Sequence, residues 1–128
     1  MRLLLDTHTL LWAALSRRNL SHAAAVAIAD DKNEILVSAA SAWEIATKVR
    51  RGKLPDAVAF EARFLEAVDE AGYAILSIDG ETALRAARFS AEHRDPFDRI
   101  LAAQALALDL PVISIDAKLD QFGVRRVW

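Results

Sequence analysis

Short apolar runs alternate along the chain with longer stretches in which apolar residues recur every three or four positions. The short runs carry few polar residues, which is typical of strands that are buried on both faces of a sheet. They predict four strands and a further edge strand at the end of the chain: Arg2–Asp6, Glu34–Ser38, Tyr73–Ser77, Pro111–Ile115 and, at the edge, Val124–Trp128. The longer stretches predict six helices: Thr9–Leu15, Ser21–Ala29, Ser41–Arg51, Pro55–Ala71, Asp79–Ser90 and Asp95–Asp109.

The order of these elements predicts the fold class. Strands that alternate with helices indicate an α/β fold in three layers, in which helices cover both faces of a central, mostly parallel sheet of four to five strands. A length of 128 residues allows one domain, and no linker, repeat or low-complexity tract divides the chain. We therefore expect a single domain over residues 1–128.

Composition excludes several classes of site. The chain has no cysteine, which excludes disulfides, thiolate zinc sites, iron–sulfur clusters and cysteine nucleophiles. Lys and Arg number 16 against 18 for Asp and Glu, so nucleic-acid binding requires a local basic patch. Asp6 and His8 interrupt the first leucine run, and no run approaches the ~20 apolar residues that span a bilayer. We expect a soluble, cytoplasmic protein with no membrane partner.

Four acidic residues fall at one edge of the predicted sheet. Asp6 ends the first strand and Asp116 follows the fourth. Glu44 and Asp98 lie in the first turns of the helices predicted from Ser41 and Asp95. In a parallel α/β sheet the carboxyl ends of strands and the first turns of the following helices share the edge where ligands bind. We therefore expect the four acids to converge.

Taken singly, each acid can be explained as a helix-capping residue. At the strand ends, Asp6 and Asp116 would cap the helices that follow. Glu44 would form a capping box with Ser41, and Asp98 would form one with Asp95. Taken together they favour a bound cation, because two carboxylates ~4 Å apart repel by roughly 4 kcal/mol at an effective dielectric of about 20. Oxygen ligands without cysteine or paired histidines indicate Mg²⁺ or Mn²⁺. Metal ions held in this way activate water and stabilise the leaving oxygen of a phosphodiester.

The motifs around these acids resemble those of PIN-domain ribonucleases and, more narrowly, of the VapC toxins of toxin–antitoxin pairs. The similar blocks extend over nearly the whole chain: Leu4–His8, Ser41–Lys48 with Gly52–Leu54, His93–Ala105, and Ser114–Asp116. The resemblance implies an endoribonuclease dependent on Mg²⁺ or Mn²⁺, the toxin of a type II pair, that hydrolyses structured RNA such as tRNA or rRNA. It also implies a cognate antitoxin that blocks the site and a homodimer.

Carried over residue by residue, the resemblance assigns catalytic and metal-binding roles to four acids. Asp6, Glu44 and Asp98 match the three firm acids of the family, and Asp116 matches its more variable fourth. Asp6 and Asp98 are the foremost expected ligands, and Glu44 would complete the ligand shell or hold a water. Asp95 lies close to Asp98 in sequence, and we interpret it as an N-cap.

Other polar residues near the acids have two interpretations each. The hydroxyls of Thr7 and Ser114 would either orient a metal-bound water or make ordinary strand-end hydrogen bonds. Arg99 would either pair with a carboxylate or approach the scissile phosphate. A lone histidine is more often structural than catalytic, so His8 and His93 are expected to be structural.

The densest basic stretch follows the helix that carries Glu44: Lys48, Arg50, Arg51 and Lys53. It would either contact phosphate or place favourable charge at a helix C-terminus away from the acids, and we favour the second.

The helix predicted over Pro55–Ala71 carries a wide apolar face: Ala57, Val58, Phe60, Phe64, Leu65, Ala67, Val68 and Ala71. This face covers about half the circumference, so it serves core packing or a dimer or antitoxin surface. The three tryptophans, Trp12, Trp43 and Trp128, are expected to pack in the core or at its rim.

Three other functions are compatible with a first acid at a strand end. A haloacid-dehalogenase-like phosphatase requires a second aspartate where this chain has His8. A receiver domain requires an adjacent acidic pair and a lysine after its last strand, which are not evident. The third alternative is a non-enzymatic protein-binding module in which the acids only cap helices.

Overall fold

The described residues of this computed structural model, 1–90 and 92–128, fold around a five-stranded sheet. Its strands are β1 Arg2–Leu5, β2 Glu34–Ser38, β3 Ala74–Leu76, β4 Val112–Ile113 and β5 Arg126–Val127. Their spatial order is β3-β2-β1-β4-β5, and each neighbouring pair is parallel. The predicted parallel sheet and its C-terminal edge strand are therefore confirmed.

Seven α-helices occur in the described part of the chain: α1 Thr7–Leu15, α2 His22–Ala29, α3 Ala39–Arg50, α4 Val58–Ala62, α5 Phe64–Glu70, α6 Gly80–Arg88 and α7 Pro96–Leu108. Short 3-10 helices lie at Arg17–Asn19, Pro55–Ala57 and Ala117–Phe122. None of the described helices is long and apolar enough to cross a membrane.

Helices cover both faces of the sheet, as expected, and the leucine run of β1 shows how. Leu3 and Leu5 belong to a buried cluster to which α1, α2, α3 and α5 contribute, whereas Leu4 belongs to a second cluster with α7. Successive side chains of a strand point to opposite faces. Both faces of β1 are therefore buried, which is why its three leucines follow one another without a polar residue.

The helix that carries Glu44 begins earlier than predicted. Its N-cap is Ser38, whose hydroxyl accepts a hydrogen bond from the Ala40 N–H, and helical residues begin at Ala39. Ser41 is therefore an interior residue, and the capping box predicted for Ser41 and Glu44 is wrong. Glu44 lies beyond the first turn because β2 ends on a serine that caps the helix directly.

The helix predicted over Pro55–Ala71 is interrupted. Arg63, with φ −120° and ψ 32°, separates α4 from α5, and Pro55 opens a separate 3-10 turn. Phe64 and Val68 are buried in the core, whereas Leu65 is 67% exposed. Core packing therefore accounts for only part of the wide apolar face.

Candidate active site

The carboxyl edge of the sheet collects the predicted acids from four parts of the chain. Asp6 follows β1 directly, and Asp116 lies shortly after β4. Glu44 lies on α3, which follows β2, and Asp98 lies in the first turn of α7. The sheet order puts β1 between β2 and β4, so this edge is shared by elements that are far apart in sequence.

Hydrogen bonds join Asp6 to Asp116 through one serine. One carboxylate oxygen of Asp6 accepts from the Thr9 N–H at 2.7 Å, so Asp6 caps α1 as predicted. The Ser114 hydroxyl donates to the other oxygen of Asp6 and accepts from the Asp116 N–H at 2.9 Å. Ser114 is fully buried, and Asp6 is only 6% exposed. The position of Asp6 is therefore set by the main chain and by one buried hydroxyl.

The second strand-end acid and the neighbouring threonine also have partners. Asp116 accepts from the Lys118 N–H at 3.0 Å and caps the 3-10 helix that follows, as predicted. The Thr7 hydroxyl donates to the Ser41 hydroxyl at 2.9 Å and thereby links α1 to α3. Both Thr7 and Ser114 thus make strand-end hydrogen bonds, in agreement with the structural interpretation of these hydroxyls.

Glu44 is paired with a lysine of its own helix. Lys48 Nζ lies 2.5 Å from Glu44 Oε2, and Glu44 is only 5% exposed. Side chains of a helix lean toward its N-terminus, so a lysine four residues further on reaches back over the glutamate. The expectation that Lys48 lies away from the acids is therefore wrong. The spacing of four residues was the sequence signal that could have revealed it.

Asp98 is paired with the histidine that precedes α7. His93 Nε2 lies 2.8 Å from Asp98 Oδ2, and the imidazole also packs edge-on against Phe122. Burial raises the pKa of Asp98 to about 6 from a usual value near 4, opposed by the hydrogen bond with His93 and reinforced by the charges of Asp95 and Glu44. Asp98 is therefore close enough to two other carboxylates to be affected by their charge.

Asp95 and Arg99 hold the segment around this pair. Asp95 caps α7, as predicted, by accepting from the N–H groups of Phe97 and Asp98. The described hydrogen bonds of the Arg99 guanidinium go to main-chain carbonyls, among them Ala86 at the end of α6 and His93 at 2.8 Å. Arg99 thus satisfies carbonyls left free at a helix C-terminus and fixes the backbone that carries His93.

An open cavity of about 500 Å³ lies beside Asp98 and Asp116. It is lined by acidic, basic and neutral polar residues: Glu92, His93, Arg94, Asp95, Asp98, Asp116, Lys118 and Gln121. Arg94 and Lys118 bring positive charge to it, and sequence reasoning missed both. Each lies within four residues of a predicted acid, which was the available signal.

The donor types at this edge suit a hard divalent cation, although the carboxylates are not gathered around one point. Within residues 1–90 and 92–128, no three side chains of His, Asp or Glu lie close enough together to hold one metal ion. Mg²⁺ usually keeps several waters and binds through one or two carboxylates and substrate phosphates. Burial, reinforced by the charges of Asp95 and Glu44, disfavours the ionised form of Asp98, and a cation at this position would relieve that unfavourable charge. The residues therefore fit Mg²⁺ or Mn²⁺ held by few protein ligands.

Comparison with known proteins identifies the family. The profile of the PIN domain family matches residues 3–124, which is almost the whole chain. A search of curated proteins finds no match. Among solved structures, the chain is similar to one in the crystal structure of VapBC2 from Rickettsia felis bound to a DNA fragment from their promoter. The TM-score is 0.67 at 14% identity, over 98% of this chain and 97% of that one, which is a likeness of fold.

The extent of the family match decides against two of the three alternatives drawn from the sequence. It favours neither a phosphatase of the haloacid-dehalogenase type nor a receiver domain, and it agrees with the motifs around Asp6, Glu44 and Asp98. PIN domains are nucleases, so the match supports a hydrolase that acts on nucleic acid. The chain belongs to the PIN domain family.

Proposed function

We propose that this protein is a metal-dependent endoribonuclease, the toxin of a type II toxin–antitoxin pair, that hydrolyses structured RNA such as tRNA or rRNA. The observation that carries the proposal is the acidic edge of a PIN sheet, where burial and the charges of Asp95 and Glu44 raise the pKa of Asp98 to about 6. Such a site gains charge balance from a divalent cation and holds oxygen ligands that Mg²⁺ and Mn²⁺ prefer.

Four acids are the proposed catalytic and metal-binding residues: Asp6, Glu44, Asp98 and Asp116. When bound, Mg²⁺ or Mn²⁺ would supply an activated water and charge stabilisation at the leaving oxygen of the phosphodiester. The chain itself contributes a buried serine that holds Asp6 and a histidine that holds Asp98.

Basic residues at the same edge are the proposed contacts of the RNA backbone. Arg94 and Lys118 line the cavity beside Asp98, and Lys48 is partly exposed on α3. Arginine and lysine bind phosphate without reading sequence. These residues would therefore compensate locally for the net charge of −2.

The partners follow from the same proposal. The similar structure is described as VapBC2 bound to promoter DNA, which supports a cognate antitoxin for this chain. The exposed side chains of Val58 and Leu65 favour a homodimer or an antitoxin surface at α4 and α5. A toxin that cleaves tRNA or rRNA would act in the cytoplasm, where these RNAs are found.

The test of the activity is cleavage of total RNA and of purified tRNA by the protein in Mg²⁺ or Mn²⁺, with chelator as the blank. We expect defined fragments that Asp6→Asn abolishes, while Asp69→Asn, an exposed carboxylate on α5, leaves cleavage unchanged. Calorimetric titration should show that the wild type binds the metal and that Asp6→Asn does not. Intact RNA with every metal would contradict the proposal and favour a non-enzymatic binding module.

The test of association is sedimentation of the free protein. Leu65→Lys places a charge on the exposed face, whereas Phe64 is unsuitable because its side chain is buried in the core. We expect the wild type to sediment as a dimer and the Leu65→Lys variant to dissociate more readily into monomers. A monomer in both cases would exclude the α5 face as a dimer interface.

A further inference from the structure

Two aromatic residues flank the acids of the candidate site. Trp43 immediately precedes Glu44 on α3, and Phe97 immediately precedes Asp98 on α7. The two helices are in contact, and the rings meet edge-on, with centroids 4.7 Å apart and planes at 73°. The pair therefore bridges the two helices that carry Glu44 and Asp98.

Trp43 does not lie in the core, which is one of the two positions expected for it. It is 56% exposed, whereas Glu44 beside it is only 5% exposed. Whether the indole presents its edge or one of its faces to Phe97, at least one face of the indole is left uncovered by that ring. A large, flat, apolar surface is thus presented to solvent next to the carboxylates, and Phe97 restricts its rotation.

We propose that Trp43 is a stacking platform for one unpaired base of the RNA substrate, near the phosphate that is cut, and that Phe97 holds the indole in place. The inference rests on the proposed ribonuclease activity and names the feature that the substrate must offer. Proteins bind unpaired bases by stacking them on aromatic rings, and this contact tolerates different bases because each has a π-face. The cavity with Arg94 and Lys118 supplies positive charge for the adjoining phosphates.

The position of the pair favours an RNA base over other occupants. The platform lies near the acidic edge, because Trp43 contacts Phe97 in the first turn of α7, and the same turn carries Asp98. Within one nucleotide the base is joined to its phosphate through a single sugar, so a phosphate held at the acids keeps its base in the neighbourhood of Trp43. A second copy of the chain seated on Trp43 is the competing occupant, and the experiment below separates the two.

The experiment is a double-mutant cycle between Trp43→Ala and single abasic sites in a short RNA that the wild type cuts. Binding is measured by fluorescence anisotropy of labelled RNA in an Asp98→Asn background, so that the RNA stays intact. With Trp43 in place, an abasic site near the cleaved bond should weaken binding roughly five- to 150-fold, the range for loss of one stacked base. The Trp43→Ala variant should bind the RNA without an abasic site more weakly than the wild type by a similar factor. Introducing the abasic site should then weaken binding by this variant little further.

Two further variants control for folding and for general loss of apolar surface. Trp43→Phe keeps a stacking ring and should restore most of the affinity. Leu84→Ala removes a similarly exposed apolar side chain on α6 and should leave RNA binding unchanged.

The outcomes separate this inference from the proposed function. If the wild type does not cut RNA, both fail. If it cuts RNA but Trp43→Ala and each abasic site act additively, only the stacking platform is overturned. Additive losses together with conversion of a dimer to a monomer by Trp43→Ala would assign this surface to a second copy of the chain.

Discussion

The acidic edge consists of two halves that are stabilised in different ways. In the first half, Asp6 and Asp116 are held by main-chain N–H groups and by the buried hydroxyl of Ser114. In the second half, Glu44 is paired with Lys48 and Asp98 with His93. In the first half, neutral groups of the fold donate hydrogen bonds to the carboxylates. In the second half, the carboxylates are paired with ionisable side chains, those of lysine and histidine.

The difference shows how one edge combines rigidity with response to a cation. The donors in the first half are neutral, so these hydrogen bonds depend little on salt or on the protonation of the donor. The interaction energy between two charged side chains, in contrast, depends on their protonation, on salt and on added cations. We therefore infer that the half containing Asp6 is preformed and that the half containing Asp98 changes most when a divalent ion binds.

The largest expected effect is the loss of activity in Asp6→Asn. The amide keeps an oxygen for the Thr9 N–H, so α1 should stay capped and the melting temperature should change little. A lost metal ligand removes several kcal/mol of transition-state stabilisation, which corresponds to at least about a hundredfold in rate. Cleavage assays test the loss of activity, and thermal melts test whether stability is kept. A large loss of stability would show that the carboxylate is needed for the fold.

Asp98→Asn should be more stable than the wild type when no metal is present. The folded pKa of Asp98 is about 6, raised mainly by burial, so its ionised form opposes folding at neutral pH. A shift of about two units corresponds to an upper limit of ~3 kcal/mol. Thermal melts in chelator at neutral pH measure the gain, with Asp69→Asn as the control, and RNA cleavage should be lost.

The same substitution has a defined pH dependence. Because the pKa of Asp98 is higher in the folded than in the unfolded chain, the folded protein binds more protons between about pH 4 and 6. This contribution to wild-type stability is thus present below pH 4 and lost as the pH rises through 6. The difference between Asp98→Asn and wild type should be absent at pH 3.5 and reach its plateau near pH 7. A constant difference would contradict burial of the charge.

Ser114→Ala tests the half that depends on neutral hydrogen bonds. It leaves one oxygen of buried Asp6 and the Asp116 N–H without their described partner, at a cost of ~1–3 kcal/mol. Because the lost bonds are buried, the change in unfolding free energy should not depend on salt concentration. Denaturant titrations at low and high salt measure it, with Ser77→Ala, an exposed serine, as the control.

Lys48→Met tests the other half and is expected to lose only a little stability. Lys48 is partly exposed, so solvent screening limits the loss of its ion pair with Glu44 to ~1 kcal/mol. The loss should shrink at high salt, and added Mg²⁺ should stabilise the variant more than the wild type. Lys53→Met, an exposed lysine beyond the helix, is the control. A salt-independent loss would remove the distinction between the two halves.

The sequence predicted most of the elements from neighbouring residues, and it predicted the shared edge of the acids from the geometry of parallel sheets. Three consecutive leucines predict a strand buried on two faces, and the structure buries Leu3, Leu4 and Leu5. Asp95 followed by Pro96 predicts the start of α7, since aspartate caps and proline fits the first turn. Asp6 and Asp98 then share an edge by the general geometry of parallel sheets.

The buried side-chain partner of Asp6 was decided by tertiary structure. Ser114 reaches Asp6 across 108 positions of sequence, which requires β4 to pair with β1. Lys48 and Glu44, by contrast, meet through their spacing of four residues on α3, which the sequence already shows. The exposure of Trp43 depends on how α3 packs against α7. Local periodicity and capping determine what each segment becomes, whereas sheet order and helix packing determine which side chains meet and which face solvent.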